Sequence, residues 1–191
     1  MIEISKLEKE LHKKGYVIDK TPEIKSLNYL QNKVLSLGLN AKPELKKKYK
    51  FFKTNEEFFE NIHKFIKKSE LNDFRLKLIN GINKDIKFKD NYYKVAKNLL
   101  HNLVGNELAM QSKLNLSIQI PNDNSSMLPM HSDVYAGESP FEVVIWIPLT
   151  NVDASTHSMF ITDPSSNKKI NGEVTTSKKK TIIEIFKKYK K

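Results

Sequence analysis

Apolar positions recur every three or four places along the first hundred residues of the chain, and every two places beyond residue 110. The first period is that of one helix face and the second that of one strand face. Over residues 3–14, Ile4, Leu7 and Leu11 stand among Lys and Glu, which predicts an amphipathic helix ended by Gly15. Tyr16-Val17-Ile18 reads as a short strand. Thr21-Pro22 is a cap followed by proline at a first helical position, opening a helix through Leu27, Leu30, Val34 and Leu37 to Gly38. Pro43 and Lys46 to Lys48 make a connection. Phe58, Phe59, Ile62, Phe65 and Ile66, then Phe74, Leu78 and Ile79, keep helical spacing over residues 55–80, as two helices broken near Ser69 to Asn72. A further helix spans residues 91–104 and stops at Gly105.

The period then changes. Leu114, Leu116, Ile118 and Ile120 alternate with Asn115, Ser117 and Gln119, which specifies a strand with one polar face. Phe141 to Pro148 is apolar on both faces and is expected as a buried strand, with Trp146 in the core. Ser158 to Thr162 is a third. Five of the seven prolines (Pro121, Pro129, Pro140, Pro148, Pro164) fall among these segments and mark short strands and turns. Polar turn residues follow Pro164, and then Thr181 to Phe186 before a lysine-rich end.

Length and composition fit one domain, residues 1–191, mainly helical to about residue 110 and strand-rich after it. No apolar run is long enough to span a bilayer and no secretory leader is evident, so the chain is expected in the cytoplasm with no membrane partner. Cysteine is absent, which excludes thiolate chemistry and disulfides and leaves His, Asp, Glu and water as ligands for any metal. The net charge of +11 comes almost wholly from lysine, with Arg75 the sole arginine. That is a solvated surface rather than bidentate phosphate or base recognition, and no specific nucleic-acid partner is expected.

Charge matters more in its distribution. From Leu114 to Pro164 there are six carboxylates and no base. Inside that island His131-Ser132-Asp133 puts an imidazole and a carboxylate two residues apart, on one side of an extended chain. The pair is two-thirds of the facial triad that holds Fe(II) in non-haem oxygenases. Its bland alternative is a loop histidine beside a turn-capping aspartate. Asn115, Ser117 and Gln119 would line a barrel interior as hydrogen-bond partners for a polar ligand, or else face water on an edge sheet. His12, His63 and His101 lie in the helices as surface or core-edge residues, and the scattered glycines form no phosphate loop.

The run from Asn115 through Pro121-Asn122-Asp123, Leu128-Pro129 and His131-Ser132-Asp133-Val134 resembles a group of iron(II) and 2-oxoglutarate-dependent oxygenases found among surface-carbohydrate biosynthesis enzymes. That group is distantly similar to the phytanoyl-CoA dioxygenases. Gly137-Glu138-Ser139-Pro140-Phe141 through Trp146-Ile147-Pro148-Leu149, and Ser158-Met159-Phe160, carry the same resemblance, which covers about residues 105–162. It implies an α+β fold, with N-terminal helices packed on a double-stranded β-helix (a cupin-like jelly roll). It also implies His131 and Asp133 as metal ligands and catalytic residues, Fe(II) and 2-oxoglutarate as cofactors, and hydroxylation of a small carbohydrate-related intermediate.

The family's second histidine and its basic partner for the far carboxylate of 2-oxoglutarate have no match after the Ser-Met-Phe segment. His157 is the one nearby substitute ligand, and a lysine would have to replace the clamping arginine. The visible strands number too few to close a roll. The chain is therefore expected to be an oxygenase shortened at its C-terminus and lacking part of its site. The alternative is a non-catalytic binding or assembly module whose open sheet edge is completed by a partner chain, including a second copy of itself.

Overall fold

The computed structural model describes residues 6–123, 131–139, 141–152, 159 and 161–176. Its packing divides into two units. One comprises Asp19–Ser126 with Ile147–Thr156, and the other Met1–Ile18, Met127–Trp146 and His157–Lys191.

The larger unit is built on helices α2 (Ile24–Ala41), α5 (Leu71–Asn83) and α6 (Ile86–Val104), with the shorter α3 (Leu45–Tyr49) and α4 (Asn55–Asn61) beside them. Their apolar stripes meet in one core. Leu30 and Val34 of α2, Leu71, Phe74, Leu78 and Ile82 of α5, and Phe88 of α6 are all buried in it with Leu45, Phe58 and Ile66. Aromatic edges close one end, where Phe58 meets Tyr49 at 5.3 Å and Phe52 at 5.5 Å between ring centroids. Close approach of α2 and α5 depends on Gly81, where a Cβ would stand 2.5 Å from a methyl of Leu37.

Helix ends show why the boundaries differ from the periodicity. Asp85 caps α6 by accepting from the Phe88 amide at 3.2 Å, so that helix opens at Ile86, five residues before the apolar pattern becomes regular. Thr21 accepts from the Glu23 amide at 3.0 Å, and α2 begins only at Ile24. It also runs past Gly38 to Ala41, because Gly38 is buried in α2 with the ring of Phe74 against it instead of ending the helix. The Lys46–Lys48 connection is itself helical as α3. Thr54 caps α4 through the Glu57 amide at 3.1 Å.

In the smaller unit, α1 (Lys6–Lys14) ends as expected at Gly15, whose φ is +81° and whose amide donates to Leu11 at 2.7 Å. Tyr16-Val17-Ile18 is not a strand, and Ile18 is 83% exposed. Residues after Pro164, expected as turns, form α7 (Pro164–Thr176). Asp163 accepts from the hydroxyls of Ser165 and Ser166 at 2.5 and 2.7 Å and from their amides at 2.9 and 3.0 Å, and these bonds, the hydroxyls' foremost, hold its carboxyl well below the usual range. An aspartate cap followed by proline at the first helical position starts the helix there.

The α+β jelly roll is not what the chain forms. Among the described residues there is helix and no strand or sheet. Residues 114–120 keep the alternation read from the sequence: Leu114 is buried, Leu116, Ile118 and Ile120 pack partly buried against the helical core, and Asn115, Ser117 and Gln119 are exposed. The neighbour of this apolar side is a helix surface, and among the described residues no ladder forms. Phe141 to Trp146, expected inside a sheet, lie open, with Phe141 92% and Trp146 45% exposed. Among the described residues no strand flanks this segment, and a run apolar on both faces is buried only where a sheet and its covering layers enclose it. Of the third expected strand, Met159, Ile161 and Thr162 are described and none lies in a strand, while Ser158 and Phe160 fall outside the described residues, as do Lys178–Lys180 and the run Thr181 to Phe186.

Candidate functional site

Chemistry in the island begins with a short 3-10 turn at Asp133–Ala136, closed by Gly137 at φ +99°. The Gly137 amide donates to Val134 at 3.2 Å and the Glu138 amide to Asp133 at 3.0 Å. Extended backbone at Ser132 leads into that turn and sets His131 and Asp133 on the same side of it. The structure brings these two together: His131 Nε2 is 3.3 Å from Asp133 Oδ1, with each side chain close to half exposed. Two metal bonds of about 2.1 Å at a right angle would separate their donor atoms by about 3 Å, so the pair has the spacing of adjacent ligands on one ion. The same contact is open to an imidazolium and a carboxylate with no metal.

Among the described residues no three His, Asp or Glu side chains converge, and His157 lies outside those residues. Asn115, Ser117 and Gln119 belong to the larger unit and are exposed, on the side of their segment away from the helical core. A shallow, open cleft of about 420 Å³ lies at the α5–α6 corner, lined by Tyr29, Lys33, Lys84, Asp85 and Lys87, and holds none of the expected site residues. Its Asp85 carboxylate takes Lys33 at 2.6 Å and the Tyr29 hydroxyl at 3.1 Å. Hydrogen bonds from Lys33 foremost, then Tyr29 and the Phe88 amide, hold Asp85 below the usual carboxylate range.

Comparison with protein-family models, with curated proteins and with solved structures found no match for this chain. What the chain does must therefore be argued from the residues themselves.

Three residues that carry much of the island's attachment are invisible to motif reading. The Asn83 side-chain amide donates to the Leu114 carbonyl and its oxygen accepts from the Leu114 amide, both at 2.8 Å. A side chain thus makes the two-way contact that a neighbouring strand would make. Gln31, on the buried face of α2, donates to Glu56 at 2.7 Å and to the Leu149 carbonyl at 3.2 Å, and its bond lowers the Glu56 pKa. Asp123, whose side chain is 1% exposed, takes the Lys68 ammonium at 2.9 Å. One signal for the amides was present: Gln31 follows Leu30 and precedes Val34, and Asn83 follows Ile79 by four, so both sit on apolar helix faces where a polar group needs a partner. The His101 imidazole, expected to be bland, shares a hydrogen bond with Tyr93 at 2.8 Å within α6.

Proposed function

We propose that this chain is an oxygenase-type protein of the iron(II) and 2-oxoglutarate class, in which His131 and Asp133 form a two-ligand edge for a divalent metal. The observation that supports the reading is the 3.3 Å approach of imidazole and carboxylate on the turn at residues 131–136. The sequence resemblance around them supports it further, and a carbohydrate-related small molecule is the substrate class it carries. Iron would supply oxygen activation, and the two side chains would leave the remaining positions open to solvent or a bidentate acid. The described residues do not complete a facial triad, so no oxidation step is derived. Anaerobic titration of Fe(II) into the protein should give one weak site that His131→Ala and Asp133→Ala both abolish, and on admission of dioxygen only the iron-loaded parent chain should convert 2-oxoglutarate to succinate and carbon dioxide. Equal metal affinity in all three proteins would overturn the ligand assignment.

A second reading has its own observation. Main-chain groups of Ser117, Ile118 and Gln119 receive no hydrogen bond among the described residues, although their side chains alternate as in a strand. Such an edge accepts a strand from another chain, a second copy included. The assembly reading predicts an oligomer by light scattering that is indifferent to metal and to His131→Ala. A monomer at all concentrations argues against it.

A further inference from the structure

Between α2 and α4 the chain carries six lysines in twelve residues, Lys42 to Lys53, against one carboxylate, Glu44. The structure sorts them. Lys42 is consumed internally, bonded to Glu70 and 3.6 Å from Glu44. Lys46, Lys47, Lys48, Lys50 and Lys53 are exposed, and among the described residues none of their ammonium groups makes an ion pair. In their midst Phe51 is 81% exposed. Its position is held from both sides: Leu45 is fully buried, and Phe52 stands edge-on to Phe58 and Phe65 at 5.5 and 6.1 Å. Lys48 lies 5.7 Å over the Phe65 ring, which fixes one of these five cations at that surface. Glu57 and Glu60 of α4 are the exposed acids nearest in sequence on the side that follows, and the Glu57 carboxylate accepts from the Lys53 amide at 2.9 Å.

We propose that this surface, Lys46 to Lys53, docks on an anionic lipid bilayer, with Phe51 entering the headgroup boundary and the five lysines ringing it. Its attraction is diffuse charge plus one apolar wedge, which is what a fluid layer of anionic headgroups recognises. Ammonium groups on flexible stems and no arginine in the patch suit that surface better than ordered phosphates or base edges. An aromatic ring held out to water between lysines gains by leaving water at a membrane interface. No spanning helix is needed, and none is present among the described residues.

The test is sedimentation of the full chain with vesicles of phosphatidylcholine, with and without phosphatidylserine, at fixed salt. Binding is expected to the anionic vesicles alone and to weaken as salt rises. The triple variant K46S/K47S/K48S should lose about a hundredfold in partitioning, roughly fivefold per lysine, and Phe51→Ala about tenfold. The control K87S/K94S/K97S, which removes three exposed lysines of α6, should change binding severalfold less than the patch variant. All these positions are exposed, and circular dichroism should show parental helix content in each variant. Equal binding to neutral vesicles overturns the proposal, and so does equal loss in the patch and control variants, which would make the attraction a property of total charge. Displacement by duplex DNA or by inorganic phosphate at matched salt, with Phe51→Ala unaffected, assigns the patch to phosphate chemistry and overturns it as well.

Discussion

The stripe Leu30, Val34, Phe74, Leu78 and Ile82 and the run Phe141, Val143, Val144 and Trp146 are comparably apolar, yet the first is 1–6% exposed and the second 36–92%. Hydrophobicity alone does not decide between them. A helix satisfies its own main chain, so its apolar face needs only another apolar face to bury it. An extended segment must first find hydrogen-bond partners for alternate amides and carbonyls, and only then can both its faces be covered. The helical part of the chain meets its condition locally. In the island from Leu114 onward, helices lend part of that partnership, through the side-chain amides of Asn83 at Leu114 and Gln31 at Leu149.

The largest effect should come from the buried stripe. Phe58→Ala or Ile82→Ala is expected to cost about 3–5 kcal/mol in urea denaturation, whereas Phe141→Ala should change stability by less than about 0.5 kcal/mol. Similar losses at both would erase the contrast. Next is Asn83→Ala, which strips Leu114 of both main-chain bonds and should cost about 1–3 kcal/mol. Hydrogen exchange should quicken at Leu114 and stay slow in α2 and α5. Faster exchange throughout would mean that the segment is part of the core and not an attachment to it.

Asp85→Ala should cost about 1–2 kcal/mol by uncapping α6 and freeing Lys33. Its carboxyl is lowered by folding, so the stability it contributes is fully present above the unfolded aspartate pKa, near 4, and is lost as pH falls through the lower folded value. Urea midpoints from pH 6 down to pH 2 should therefore fall less in Asp85→Asn than in the parent, and parallel curves would discount the Lys33 pair. The smallest stability effect is expected at the candidate metal edge, where His131→Ala and Asp133→Ala each remove a half-exposed side chain. Both should melt with the parent when metal is absent, and they differ from it only in the presence of Fe(II).

Local rules placed α1 and its stop at Gly15 and the end of α6 at Gly105, since caps and apolar spacing are read within one or two turns; the break expected near Ser69 to Asn72 comes earlier, because α4 ends at Asn61 and α5 already begins at Leu71. They also placed His131 beside Asp133, because two residues on one side of a short turn need nothing from afar. Proline density misdirected the reading after residue 160: Asp163-Pro164 starts a helix where turns were expected. The alternation at 114–120 was read correctly as two-sided, and its leucine and isoleucine side packs on the helices, but the side expected to line a barrel, Asn115, Ser117 and Gln119, is exposed.

The order of residues by itself thus determined the long helices of the first hundred residues, though not α3 or α7, and which side of each segment is apolar, because those depend on contacts within a few residues. Only the tertiary structure decided what the extended segments lie against. The partner that Leu114 takes is 31 residues away, and Leu149's is 118 away. A two-residue period states that a strand face exists, but a second strand and a helix bearing an asparagine both satisfy it.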